Sequence, residues 1–362
     1  NHGNVYQKRK NYKLALDNYA AALAIQPEYS DPHYNRGNTL ARQNQFKEAL
    51  EDYNQAIRLG KDSAEVYHNR GFARVQLGEI SLAIKDYDQA IQRNPNYVTA
   101  FNNRGIAYAR SNKHRQALDD YSKAIRLSPK MPMAFNNRGQ SIEQLGDYKS
   151  ALNDYTRAIE QNPNYAGAFL NRAGVCAKMG DFHRAVQDYS TAIGMQGNSP
   201  QAFNGRGTAY SRLNQPELAI RDFTAAIQLL PAFAEAYHNR GYSRENLKKD
   251  ELAVQDYTKA IALDPDNVTH FAALAWLRAT SGHALVRDGQ KAVRLAKQMQ
   301  SLAGQMNYRH LDILAAAYAE VGQFSKAVKW QSMSLEVSPE DQKTPLGQRL
   351  QLYQRKIPYH RN

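Results

Sequence analysis

A single cysteine, Cys176, in a chain of 362 residues rules out an internal disulfide. No run of 18 apolar residues occurs, so no membrane-spanning helix is expected. HExxH, CxxC and a phosphate-cradling glycine loop are missing too, and the ten histidines are scattered. Without such a constellation, the chain is expected to be no enzyme and to need no cofactor or metal. Charge is plentiful but never concentrated. The 47 basic and 34 acidic residues leave a net +13, yet no five like charges run together and no helix carries a basic stripe interleaved with aromatics. That spread weakens a nucleic-acid reading, which stays second. The first residue is not Met, so the chain reads as a fragment or processed form whose targeting signals lie out of view. The compartment stays open, with a slight lean to the cytoplasm.

What is present is a period. Arg36, Arg70, Arg104, Arg138, Arg172, Arg206 and Arg240 follow one another every 34 residues. Sixteen positions after each stands an Asp: Asp52, Asp86, Asp120, Asp154, Asp188, Asp222 and Asp256. Tyr follows each Asp except at Phe223. Asn precedes the Arg except at Gly205, and Gly follows it except at Ala173. Each unit holds two helical stripes. In residues 98–131 these are Phe101, Gly105 and Tyr108, then Ala117, Tyr121, Ala124 and Ile125. Most units close on a proline, such as Pro95, Pro129 or Pro163, which ends one helix before the next begins. A mid-helix Gly costs about 1 kcal/mol in propensity, so its recurrence predicts a neighbouring helix too close for a side chain. Cys176 falls in a core slot and reads as a buried thiol rather than a nucleophile.

The alternation of aromatic or His, Gly or Ala, Ala, aromatic, Ala and Pro resembles the tetratricopeptide repeat family over nearly the whole chain. Departures are local: Pro216 and Asp250 where an aromatic opens the second helix, Lys61 and Gly197 for the closing Pro, and Arg74 and Arg244 for a bulky first-helix residue. The resemblance implies an all-α, right-handed superhelical solenoid of antiparallel helix pairs, with the first helices lining the concave wall, and implies no catalysis. The expected divisions are a partial first repeat at 1–29, seven repeats at 30–267, an atypical helix pair with a longer connection at 268–307, a degenerate repeat at 308–341, a capping helix at 342–356 and an unstructured tail at 357–362. Gly194 and Gly197 replace the usual helix close, and a softer joint is expected at residues 195–199.

The periodic Arg and Asp both fall on the apolar stripes. A buried Arg needs a hydrogen-bonded carboxylate, so seven ion pairs within repeats are expected, setting register more than adding stability. In the partial repeat the two slots hold His2 and Asn18, and after Asn267 the Arg slot holds Leu274. The Asn before the Arg lies on the other side of the first helix: Asn35, Asn69, Asn103, Asn137, Asn171 and Asn239, with Asn1 in the partial repeat. In related repeat proteins this slot faces the groove and pairs with the backbone of an extended peptide. It is equally read as a brace between neighbouring first helices. Seven positions further come Arg42, Arg110, Lys178 and Arg212, which bias the groove toward acidic segments. A chaperone-tail clamp would carry Lys just before the Asn, where this chain has Tyr34, His68, Asn102, Asn136, Leu170, Asn204 and His238. The leading expectation is therefore a non-catalytic scaffold that binds a protein segment, extended and possibly acidic. A nucleic-acid-binding solenoid and the regulatory arm of a larger enzyme are the alternatives.

Overall fold

Turns set the repeat length. The second residue beyond each first helix has positive φ at Asn44, Gly78, Asn112, Gly146, Gly180, Asn214 and Lys248, again at intervals of 34. Glycine and asparagine tolerate this left-handed conformation, and it lets the next N–H reach back over the helix end, as Lys113 N does to the Tyr108 carbonyl at 2.9 Å. The chain reverses there, and the second helix lies antiparallel on the first.

The computed structural model describes residues 11–361, and Asn1 and His2 lie outside them. Twenty helices and no strand occur among the described residues. Contacts divide the chain into two compact units that meet between Val175 and Cys176. The first unit holds α1 (Tyr12–Ile25), α2 (Ser30–Arg42), α3 (Phe46–Arg58), α4 (Ala64–Gln76), α5 (Ile80–Arg93), α6 (Val98–Arg110), α7 (His114–Leu127), α8 (Pro132–Gln144) and α9 (Tyr148–Gln161), with most of α10 (Ala166–Lys178). In the second are α11 (Phe182–Met195), α12 (Pro200–Arg212), α13 (Pro216–Leu229), α14 (Ala234–Asn246), α15 (Asp250–Leu263), α16 (Val268–Thr280), α17 (Gly289–Leu302), α18 (Tyr308–Glu320), α19 (Phe324–Val337) and α20 (Glu340–Gln354).

Within each unit successive helices pack on one another, and first helices also touch the first helices of the next pair. The core is a ladder of small and large residues. Ala117, Tyr121 and Ala124 of α7 are buried, as are Ala49, Tyr53 and Ala56 of α3 and Ala83, Tyr87 and Ala90 of α5. The ring of each aromatic lies over the first-helix glycine of its own repeat. A Cβ on Gly105 would stand 2.7 Å from the Tyr121 ring, and one on Gly139 would stand 2.8 Å from Tyr155. Burial of these rings drives the pairing, at roughly 25 cal/mol for each Å² of apolar surface covered. Cys176 is buried.

After Asn267 the pattern loosens. Leu274, in the Arg slot, joins a buried cluster with Ala253, Tyr257, Leu277 and Val286. The α19 and α20 helices close the second unit, with Leu346 and Tyr353 buried and Gln331 Nε2 donating to the Leu346 carbonyl at 3.1 Å. The expectation of an unstructured tail is corrected here. Residues 357–361 form no helix, but they lie along α18, α16 and α14. His360 meets Glu320 at 2.7 Å, and the Arg361 N–H donates to the Thr280 carbonyl at 2.7 Å. Each contact spans tens of residues and repeats nowhere, so neither period nor hydropathy foreshadows it. Asn362 lies outside the described residues.

Candidate functional site: the first-helix wall

The periodic Arg reaches its Asp with two parallel bonds. Arg104 Nε and Nη2 donate to Asp120 Oδ2 and Oδ1 at 2.8 and 2.7 Å. The same fork joins Arg36 to Asp52, Arg138 to Asp154, Arg206 to Asp222 and Arg240 to Asp256, at 2.7–3.0 Å. Arg70 reaches Asp86 at 2.6–3.1 Å. Arg172 belongs to the first unit and the buried Asp188 to the second. The carboxylates are buried while the guanidinium groups keep some water contact, and Arg104 is 19% exposed. Burial pushes the Asp120 carboxyl above its ordinary value, and Arg104 pulls it back. Burial works against the Arg104 charge too, but Asp120 and Asp88 together push its pKa above the ordinary guanidinium value.

A third bond joins neighbouring repeats. From Arg70 onward the free Nη1 crosses to the preceding repeat: Arg70 to Asn54 Oδ1 at 2.9 Å, Arg104 to Asp88 Oδ1 at 2.6 Å and Arg138 to Ser122 Oγ at 3.1 Å. Arg172 reaches Thr156 at 3.3 Å, Arg206 reaches Ser190 at 2.9 Å and Arg240 reaches Thr224 at 3.2 Å. The signal lay in the sequence, because the slot two beyond each Asp always holds a small acceptor. From Arg70 onward the guanidinium also lies near the ring three residues earlier, Phe101 for Arg104 at 5.6 Å and Phe135 for Arg138 at 5.6 Å. The departures Arg74 and Arg244 add a second guanidinium to Asp86 and Asp256, at 2.8 and 2.7 Å.

On the other face of the first helices stands the Asn ladder. Asn137 Nδ2 donates to Asn102 Oδ1 at 3.2 Å, Asn171 to Asn136 at 2.9 Å and Asn239 to Asn204 at 3.1 Å. Asn69 donates to Tyr34 Oη and Asn38 Oδ1 at 3.1 and 2.8 Å. Asn103 meets His68 Nε2 at 2.9 Å, while His68 Nδ1 lies 3.0 Å from Asn69 Oδ1. An amide nitrogen only donates, so Nε2 accepts, Nδ1 donates and the ring is neutral. Burial pushes the His68 pKa below its ordinary value, in keeping with this. Each partner sits one residue before the Asn slot of the preceding repeat, or close beside it, so one amide hydrogen is committed to bracing neighbours. Asn35 is half-buried on α2. Gly205 breaks the ladder because a Cβ there would stand 2.5 Å from the Tyr189 ring. Tyr189 belongs to the repeat that carries Ala173 in its glycine slot.

Beside the ladder, Arg42, Arg110, Lys178 and Arg212 are exposed. Tyr34, Asn38, Arg42, Asn69, Phe72 and Gln76 help line a cavity of about 600 Å³ between α2 and α4. Among the described residues no cluster of His, Cys, Asp or Glu could hold a metal ion, and no helix is long and apolar enough to cross a membrane.

The TPR repeat pattern matches residues 3–44, 37–78 and 73–112, and the Tetratricopeptide repeat pattern matches residues 98–131, 132–165 and 234–267. The chain belongs to the tetratricopeptide repeat family. Tetratricopeptide repeats bind protein partners, so membership carries the function class of a protein-interaction scaffold. No curated protein sequence matches the chain. Among solved structures, the APC/C hetero-tetramer Cut9-Hcn1 is similar with TM-score 0.56 and 17% identity, over 84% of this chain and 59% of that one. A tetratricopeptide repeat protein from Parabacteroides merdae is similar with TM-score 0.53 and 19% identity, over 75% and 98%. YrrB, a TPR protein with an unusual peptide-binding site, is similar with TM-score 0.44 and 25% identity, over 52% and 97%. The first two likenesses show the fold and nothing finer.

Proposed function

We propose that the regular repeats of the first unit bind an extended, acid-rich protein segment along their first helices, and that the first helices around Arg212 offer the same chemistry in the second. The observation that carries this reading is the set of exposed guanidinium groups beside the amide ladder. Arg42, Arg110 and Arg212 stand seven positions past the ladder slot and have no ion-pair partner among the described residues. Asn103, Asn137, Asn171 and Asn239 each spend one amide hydrogen on a neighbour and keep a second hydrogen and a carbonyl lone pair for a peptide backbone. Such bonds contribute roughly 0.5–1.5 kcal/mol each, so grip requires several rungs while the arginines select carboxylates.

The experiment is fluorescence anisotropy with a labelled peptide of alternating Glu and Ala, on wild type and on Arg42→Glu/Arg110→Glu. Both side chains are exposed, so the variant keeps its fold by circular dichroism. Affinity for the acidic peptide is expected to fall at least tenfold. Unchanged affinity in the folded variant would remove the groove from the reading. The net charge of +13 favours one competitor. If wild type binds a single-stranded oligonucleotide more tightly than the peptide, with a steep salt dependence, nucleic-acid binding takes its place.

A further inference from the structure

The second unit carries a different kind of surface. The C-terminal turns of three first helices, α14, α16 and α18, hold Glu245, Thr280 and Glu320, and one segment of chain touches all three. Helix C-termini carry partial negative charge and orphan carbonyls. Glu245 is almost buried, accepts from Tyr257 Oη at 2.7 Å, and has its carboxyl pushed up by burial. Asp250, at the start of α15, is buried and accepts from Ser281 Oγ. Glu320 is held by Arg287 at 3.1 Å. Across this acidic row runs the segment after α20. Tyr359 stacks beside Trp276 with ring centres 6.1 Å apart, and Arg349 lies over both rings at 5.6 and 5.3 Å while its fork holds Asp312 at 2.9 Å. His360 meets Glu320, and the Arg361 guanidinium enters between Glu245 and Asp250. The Arg361 N–H caps the Thr280 carbonyl, one of the orphans at the end of α16. Backbone approach is close enough that a Cβ on Gly282 would stand 2.7 Å from the Arg361 carbonyl. Next to the stacked rings a cavity of about 460 Å³ stays open, lined among others by His238, Tyr242, Trp276, Arg309 and Ile313.

We propose that this row of helix ends is a receptor site for a protein segment bearing an aromatic residue two positions before an arginine, and that residues 359–361 occupy it in cis. The chemistry is specific. The Trp276–Arg349 shelf takes a ring, the acidic slot of Glu245 and Asp250 takes a planar guanidinium, and one backbone N–H finds a waiting carbonyl. A partner segment of this kind competes with the chain's own residues, which act as an internal ligand and hold the site shut. The site differs from the first-helix wall of the regular repeats in place and in the charge it selects, and it stands whether or not that wall binds acidic segments.

The test uses a fluorescein-labelled peptide with the sequence of residues 355–361, RKIPYHR, with RKIPYHE as control. In the full chain, Tyr359→Ala/Arg361→Glu frees the site. It is expected to bind the RKIPYHR peptide at least tenfold more tightly than wild type does, and to ignore the control. Adding Glu245→Gln is expected to abolish that gain. Arg361→Ala alone, which leaves Tyr359 on its shelf, gives a smaller gain and serves if the double variant unfolds. A folded variant that binds no better than wild type overturns the proposal. Loss of the fold in both variants also overturns it, because the segment is then part of the framework.

Discussion

The regular repeats and the helix pairs after Val268 solve the same packing problem by different means. Up to α15, each regular repeat buries an aspartate, and Arg70, Arg104, Arg138, Arg206 and Arg240 each run from one to an acceptor in the repeat before. In α16 the Arg slot is Leu274, which packs within an apolar cluster in place of an arginine fork. The charge returns in α18 with reversed polarity, since Asp312 on the first helix receives Arg349 from α20. An apolar seam therefore closes as well as a charged one. The arginine fork adds direction, because it fits only one partner at one height on the next helix. In α16, which a longer connection follows, the slot is apolar and the fork is absent.

The comparison breaks most visibly at Asp120. Asp120→Ala leaves Arg104 half-desolvated with only Asp88, and is expected to cost about 3–5 kcal/mol. The loss should appear in the urea midpoint and in hydrogen exchange confined to α6 and α7, and unchanged exchange there would count against a buried pair. Acid sharpens the comparison next. His238 stacks 5.0 Å from His270 and 5.3 Å from Tyr257, with Nδ1 of the two histidines 3.1 Å apart, so both rings cannot carry protons on those atoms. Burial and the His270 charge push the His238 pKa down to about 4. Above pH 6.5 both folded and unfolded chains hold it neutral. Below that the unfolded chain takes the proton first, so stability is expected to fall by about 2–3 kcal/mol between pH 6.5 and 4 and then level. His238→Gln should flatten this slope, and a slope left intact would assign the acid sensitivity elsewhere.

Smaller effects test the seams themselves. Gly105→Ala forces a methyl onto the Tyr121 ring and is expected to cost roughly 1–3 kcal/mol despite alanine's better helix propensity. A thermal midpoint raised by Gly105→Ala would mean that the ring moves aside. Lys248 sits at φ 55 in the turn where Gly146 serves another repeat at φ 87. Lys248→Gly is expected to stabilise by about 0.5–1 kcal/mol in urea melts, and no gain would show that the lysine side chain compensates. Smallest is a kinetic effect at residues 195–199, where Gly197 meets no side chain and Ser199 alone caps α12 through Ala202 N at 3.2 Å. Limited proteolysis is expected to cut there first. An earlier cut in another turn would relocate the soft joint.

Much of this architecture was legible because it repeats. The spacing of Arg104 and Asp120, the glycine under Tyr121 and the left-handed turn at Asn112 each recur, and recurrence separates a structural demand from accident. The crossing bond from Arg138 to Ser122 was as periodic, but an acceptor that varies among Asn, Asp, Ser and Thr looks like an ordinary surface residue. Asp312 and Arg349 are 37 residues apart and occur once. Arg361 finds Glu245 across 116 residues, and no local rule relates them. The Asn ladder shows the limit most plainly. One side-chain amide can brace a neighbour and receive a ligand, and its identity alone does not divide the two.

The crossing bond has a consequence for how such a chain can change its length. From Arg70 onward each regular repeat carries the hook and its predecessor the eye, and any of Asn54, Asp88, Ser122 or Thr156 serves as the eye. Excision of residues 98–131 would bring the Arg138 hook to the Asp88 eye that Arg104 vacates, with no joint left open. Unequal crossing-over in steps of 34 codons therefore yields chains whose seams are already made. A step that is not a whole number of repeats would take the guanidinium out of register with its acceptor. The fork thus acts as a copying rule as well as a contact, letting the solenoid lengthen or shorten by inheritance without redesign.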